Sequence, residues 1–121
     1  NILEPAMGVG NFFGMLPDEM RDSRLYGVEL DSISGRIAQQ LYPKANITVA
    51  GFETTDRRDF FDVAVGNVPF GQYQVNDRAY NKLGFSIHNY FFAKALDHVR
   101  PGGVVAFVTS SSCKNGIVPS T

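Results

Sequence analysis

Short apolar runs alternate with helix-like stretches along almost the whole chain, and this alternation is the strongest constraint on the fold. The runs are NILE (1–4), RLYGVEL (24–30), ANITVAG (45–51), FFDVAVG (60–66) and VVAFVT (104–109). After the first run comes NFFGMLPDEM, with Phe12, Phe13 and Leu16 at helical spacing and Pro17 placed to end the helix. After the second, Asp31 or Ser32 can cap a helix whose Ile33, Ile37, Ala38 and Leu41 share one face, stopped before Pro43. SIHNYFFAKALDHV reads as a third helix, with His88, Phe91, Phe92, Ala95, Leu96 and Val99 on one face and PGG breaking it. Such alternation favours a parallel sheet with helices on both faces. Strands in that setting are buried on both sides and read as nearly continuous apolar runs. The expected fold is α/β, a Rossmann-like, mainly parallel sheet of about five strands. Ligands of such sheets bind beyond the C-terminal strand ends, so the loops after strands one to four are where chemistry belongs.

The 121 residues suffice for one domain, 1–121, and not for two. A net charge of −1 gives no general attraction to nucleic acid or membrane, so any contact with DNA or RNA needs a local patch or another part of a longer protein. The single cysteine, Cys113, can form no internal disulfide and has no partner for a metal site. With no signal peptide and no apolar run of membrane-spanning length, a soluble, cytoplasmic domain is expected. Both ends read as cut: the chain starts inside a strand-like run and closes on SSSCKNGIVPST, so it reads as a piece of a larger protein.

The turn after the first strand is EPAMGVGNFF. Gly8 and Gly10 let the backbone approach a ligand and turn into a helix. Glu29 ends the second strand, nineteen residues after Gly10, where an acid can accept hydrogen bonds from two ribose hydroxyls. A dinucleotide loop reads GxGxxG; here the third position is Phe13 and Gly14 falls one residue late. Glu4, in Glu4-Pro5-Ala6, puts a carboxylate beside the loop, which repels a pyrophosphate and suits the ammonium group of an amino-acid cofactor. S-adenosylmethionine carries ribose, adenine and ammonium and no phosphate, and is preferred to NAD. The bland alternative is a tight strand-to-helix turn. In the third loop, AGFE, Phe52 can cover one face of the cofactor adenine or belong to the core; Glu53 receives no role.

The fourth run leads into GNVPFG, Gly66 to Gly71. An exocyclic amino group such as N6 of adenine is a poor nucleophile because its lone pair is delocalised into the ring. Two acceptors on its two hydrogens favour a pyramidal nitrogen and free that pair. The Asn67 side-chain oxygen is one acceptor and the Val68 carbonyl the second. Pro69 removes a competing N–H and stiffens the turn, and Phe70 can stack on the base for about 1–3 kcal/mol. Taken alone, N-x-P-F is an ordinary turn; its position behind a matching first loop and Glu29 gives it a function. A target base in a duplex must first be flipped out.

These residues resemble the motifs of the amino-group DNA methyltransferases, the N6-adenine class that uses S-adenosylmethionine. LEPAMGVGNFF is similar to their first motif through Glu4, Pro5, Gly8 and Gly10, with Ala6 and Met7 inside the same loop. GVELD is similar to the second, with Glu29 on the ribose and Leu30 beside it, and Gly66–Gly71 resembles the N-P-P-[YF] motif. The motif order is that of the gamma arrangement. The chain further resembles the methylase region of large methylase–helicase proteins of plasmids and conjugative elements. The resemblance implies a Rossmann-like methyltransferase fold, truncated to about five strands, S-adenosylmethionine as cofactor, DNA as partner and adenine N6 as target. Restriction-modification or a mobile element is the implied setting. Three departures stand out. Val68 occupies a position where the family commonly has proline, and Gly51 one where it often has aspartate. The family's segment before the first motif, its later strands and its target-recognition domain lie outside these 121 residues. DNA contact is therefore expected through parts beyond this chain and through residues 71–84, which carry Tyr73, Arg78, Tyr80 and Lys82. The competing readings are an RNA-base or protein-glutamine methyltransferase, a non-catalytic cofactor- or nucleic-acid-binding module, and, remotely, an NAD-dependent dehydrogenase. His88 and His98 read as helix residues rather than catalysts, and Arg57 with Arg58 as a solvated basic spot.

Overall fold

The structure, a computed structural model, describes residues 1–20, 22–68 and 87–108. Five strands form one sheet: β1 (Ile2–Glu4), β2 (Leu25–Glu29), β3 (Asn46–Val49), β4 (Phe61–Asn67) and β5 (Val99–Val108). Their order is β3-β2-β1-β4-β5, and every neighbouring pair is parallel. From β1 the chain winds outward through β2 and β3, then returns to β4 and winds the other way to β5. The topological switch point therefore lies between β1 and β4, where the expected binding crevice of an open α/β sheet falls.

Helices cover both faces. α1 (Asn11–Gly14) and α2 (Ser32–Leu41) put Phe13 and Ala38 against Ile2 and Met7, with Leu25, Ile47, Val63 and Val65 packed around them. α3 (Ile87–His98) puts Tyr90, Phe91 and Ala95 on Leu3, Val28, Phe61 and Ala64 of the opposite face. Aromatic pairs dominate this second core. Phe52 stacks on Phe91 at 5.1 Å, and Tyr26 meets Phe60 and Phe61 edge-on, each at 5.3 Å. Each such pair contributes about 0.5–1.5 kcal/mol beyond its buried area.

Several elements differ from the sequence expectation. The first helix is a single turn of four residues, and a 3-10 turn, Asp18–Met20, follows Pro17. Asp31 is the cap of α2, its carboxylate accepting from the Ser34 N–H at 2.8 Å. The buried face of α2, however, is Gly35 and Ala38, whereas Ile33, Ile37 and Leu41 are exposed. The physical reason is close approach: a Cβ on Gly35 would stand 2.9 Å from Val49 Cγ2, so the helix packs through its small residues and its large ones turn outward. Leu96 is likewise exposed on α3, and Val99 already belongs to β5. Pro101-Gly102-Gly103 does not precede β5 but lies inside it as an irregularity. Phe61 pairs with Val99 and Val63 with Val104, so the extra residues loop out, aided by Gly102 at φ 86°. β3 is an edge strand with Asn46 and Thr48 exposed, which accounts for its mixed polarity. Among the described residues, no helix is long and apolar enough to cross a membrane.

Candidate active site

The loop after β1 folds on its own backbone. Met7 N–H donates to Val28 O and Gly10 N–H to Met7 O, both at 2.9 Å. Gly8 (φ 56°) and Gly10 (φ 91°) occupy the left-handed region that favours glycine. Gly10 is also needed for space: the Tyr42 ring lies where its side chain would be, and the Tyr42 hydroxyl donates to Gly10 O at 2.8 Å. Gly8 is different. A Cβ there would meet nothing within 4 Å, so it marks the open side of the loop.

Glu29 ties this loop to the next. Its Oε1 accepts from Gly8 N–H at 2.8 Å and its Oε2 from Asp31 N–H at 2.6 Å. Each oxygen keeps a further acceptor site, so the carboxylate can still take a vicinal pair of hydroxyls. Its place is fixed before any ligand arrives. The Asp31 carboxyl is held below its usual range by the backbone N–H and the side chain of Ser34, which secures the start of α2. Leu30, next to Glu29, is exposed.

Glu4, the last residue of β1, is only 2% exposed. It accepts from the backbone N–H of Phe13, but its Oε1 has no hydrogen-bond partner. Burial pushes its carboxyl up to about 8; the Phe13 N–H opposes this and the nearby Glu29 charge adds to it. A buried acceptor without a donor is costly, and a water, an ion or a ligand group can supply the missing partner. An ammonium such as that at the amino-acid end of S-adenosylmethionine is one group of the kind it lacks. Pro5 and Met7 beside it are buried and Ala6 half-buried, forming the floor of the loop.

β4 brings the second motif to the same edge. Asn67 is the last strand residue and is exposed. Val68 buries its side chain and donates its N–H to Val108 O at 3.2 Å, which ties the end of β4 to β5. A Cβ on Gly66 would lie 3.5 Å from Glu4 Cγ and 3.7 Å from Pro5 Cδ, so the two loops are immediate neighbours. Pro69, Phe70 and residues 71–84 lie outside the described residues.

Glu4, Pro5, Ala6, Met7, Gly8, Gly10, Glu29, Leu30, Asn67 and Val68 thus share the C-terminal edge of β1, β2 and β4. Phe52 does not line that edge: it is 3% exposed, stacked on Phe91 and edge-on to Tyr90 and His98, the placement of a core residue. His98 is buried, with Nε2 3.7 Å from an Asp56 oxygen, and burial lowers its tendency to protonate. Arg57 lies over the rings of Tyr26 and Phe60 at 5.2 and 5.1 Å, covering aromatic surface as well as meeting solvent. Two site features were not anticipated: the Tyr42 lock on Gly10 and the unpartnered oxygen of Glu4. The Tyr-Pro pair that stops α2 was the available signal for the first.

The fold is the α/β fold of S-adenosylmethionine-dependent methyltransferases. A putative class I S-adenosylmethionine-dependent methyltransferase from Listeria monocytogenes matches with a TM-score of 0.75 at 21% identity, over 92% of this chain and 39% of its own. The PH0226 protein of Pyrococcus horikoshii OT3 matches with a TM-score of 0.64 at 18% identity, over 88% and 48%. In sequence, the chain is 34% identical over 122 aligned residues to the Defense against restriction protein B of Escherichia phage P1, 96% of this chain and 5% of that protein. It is 39% identical over 70 residues to the Type II methyltransferase M.CvrRI of Paramecium bursaria Chlorella virus XZ-6E, 58% of this chain and 18% of that protein. The chain therefore spans a small part of the curated relatives it matches. No protein-family model matches it.

Proposed function

We propose that this chain is the catalytic core of an S-adenosylmethionine-dependent methyltransferase that modifies the exocyclic N6 amino group of adenine in DNA. The observation that carries the reading is the meeting, at one sheet edge, of a glycine loop with an unpartnered buried carboxyl, a ribose-type acid already fixed in place, and Asn67 at the end of β4. Glu4 would take the ammonium, Glu29 the ribose hydroxyls, Leu30 the apolar side of the nucleoside and the open face at Gly8 the approaching chain. When bound, the cofactor supplies an electrophilic methyl group. The protein's own task is positioning: the Asn67 side-chain oxygen and the Val68 carbonyl accept the two amino hydrogens of the target, concentrating its lone pair on nitrogen, and the surplus proton leaves to solvent. The Val68 side chain is buried and its N–H is bonded to β5, which holds the residue at the end of the strand. Pro69 and Phe70, outside the described residues, complete the motif by residue type. The phage relative's name, a defense against restriction, and the viral relative's, a type II methyltransferase, fit a DNA substrate and a restriction-modification setting.

The test has two parts. Calorimetric titration with S-adenosylmethionine and with NAD should show binding of the former alone, weakened in Glu29→Ala. Incubation with methyl donor and adenine-containing DNA should yield N6-methyladenine by nucleoside mass spectrometry, with RNA and glutamine-containing peptide as competitors, and Asn67→Ala should yield none. Equal product from Asn67→Ala, or methyl groups found only on RNA or peptide, rejects the assignment.

A further inference from the structure

The glycine loop is held from two sides. Glu29 fixes its first half through the Gly8 N–H. Its second half is fixed by Tyr42, thirty-two residues further along the chain. The Tyr42 hydroxyl donates to Gly10 O at 2.8 Å, and the same carbonyl accepts from Gly14 N–H at 3.1 Å.

Tyr42 is itself set firmly. It ends α2, its N–H donating to Ala38 O at 2.9 Å and its carbonyl accepting from Ala45 N–H at 3.0 Å, and Pro43 keeps the helix from running on. Its ring meets Phe13 edge-on at 5.8 Å and fills the space beside Gly10. Its hydroxyl stands 2.9 Å from where a Cβ on Gly14 would lie. Gly14, one residue late for a dinucleotide loop, thus has a use of another kind: Gly10 makes room for the ring and Gly14 for the hydroxyl.

These contacts lead on to Glu4. Gly10 opens the single turn of α1, and the Phe13 N–H in that turn donates to the Glu4 carboxyl. A turn that shifts carries with it the donor that orients this carboxyl, whereas Glu29 is held separately by Gly8 and Asp31. We infer that Tyr42 is a positioning residue: acting through Gly10 and α1, it sets the Glu4 carboxyl for the amino-acid end of the cofactor. The inference rests on the cofactor reading above.

The experiment titrates the wild type and Tyr42→Phe with S-adenosylhomocysteine and with methylthioadenosine, which keeps the nucleoside and lacks the amino-acid chain. Phenylalanine retains the ring against Phe13 and Gly10 and deletes only the hydroxyl. The variant should bind S-adenosylhomocysteine about fivefold more weakly, within the range of one neutral hydrogen bond, and methylthioadenosine as tightly as the wild type does. An equal loss for both ligands marks a merely structural role and overturns the inference. An unchanged affinity for S-adenosylhomocysteine overturns it as well, and both results leave the cofactor reading intact. Failure of the wild type to bind either ligand overturns the cofactor reading, and the inference with it.

Discussion

Replacing Glu4 by glutamine tests the buried carboxyl directly. Glutamine keeps the shape and the acceptor for the Phe13 N–H but cannot ionise. In the unfolded chain a glutamate titrates near 4.5; in the folded chain Glu4 is pushed up to about 8. Below the first value both states hold the proton. Between the two, the native state holds a proton that the unfolded chain has released, so stability falls as pH rises, by up to about 1.4 kcal/mol per pH unit. The loss levels off above the folded value. The interval from 4.5 to about 8 sets an upper bound of roughly 5 kcal/mol on the difference, a large part of the 5–15 kcal/mol available to a typical domain. Urea denaturation at unit steps from pH 5 to 9 should show wild-type stability declining by several kcal/mol more than that of Glu4→Gln, the variant being the more stable at pH 9. Parallel curves for the two proteins would refute the argument, because they would mean that Glu4 ionises in the native state as it does in the unfolded one. The same chemistry predicts that S-adenosylmethionine, by bringing an ammonium to Glu4, releases a proton on binding at pH 7. The apparent binding enthalpy should then depend on the buffer's ionisation enthalpy, and this dependence should vanish in Glu4→Gln.

Gly10→Ala meets both a φ of 91° and the Tyr42 ring, whereas Gly8→Ala meets only a φ of 56°; the first should cost about 3 kcal/mol or more by urea denaturation and the second about 1–2 kcal/mol. Ile33→Lys and Ile37→Lys change exposed positions on α2 and should alter stability by no more than about 0.5 kcal/mol, measured the same way. Arg100 holds the Asp62 carboxyl below its usual range; Arg100→Ala should move its carboxyl resonance to a higher titration midpoint in an NMR pH series.

The strands, their parallel arrangement and the edge where the site lies were legible because burial on both faces leaves a nearly unbroken apolar run, and five such runs were present. The glycine loop, Glu29 and Asn67 lie where their strands were expected to end, at the C-terminal edge of β1, β2 and β4; their roles are those proposed above. What the sequence hid depends on distance rather than pattern. Ile33, Ile37 and Leu41 form a periodic face, yet Gly35 and Ala38 win the packing because they let α2 come closer to Val49. Phe52 fits a binding loop and a core equally well by composition; only the neighbourhood of Phe91 and Tyr90 decides where its ring goes. PGG reads as a stop, but pairing on both sides of it carries β5 through. The unpartnered oxygen of Glu4 belongs to no periodicity at all.

The pairing of β1 with both β2 and β4 has a consequence for the order in which this site comes into being. The cofactor half needs Glu4, Gly8 and Glu29, joined by one local β-α-β unit. The target half reaches it only when Ile2 finds Val63, a closure across sixty-one residues. Loop closure over such a span is slow relative to local pairing. A chain leaving the ribosome presents β1 and β2 before β4, so the residues proposed for the cofactor can be brought together before Asn67 joins them.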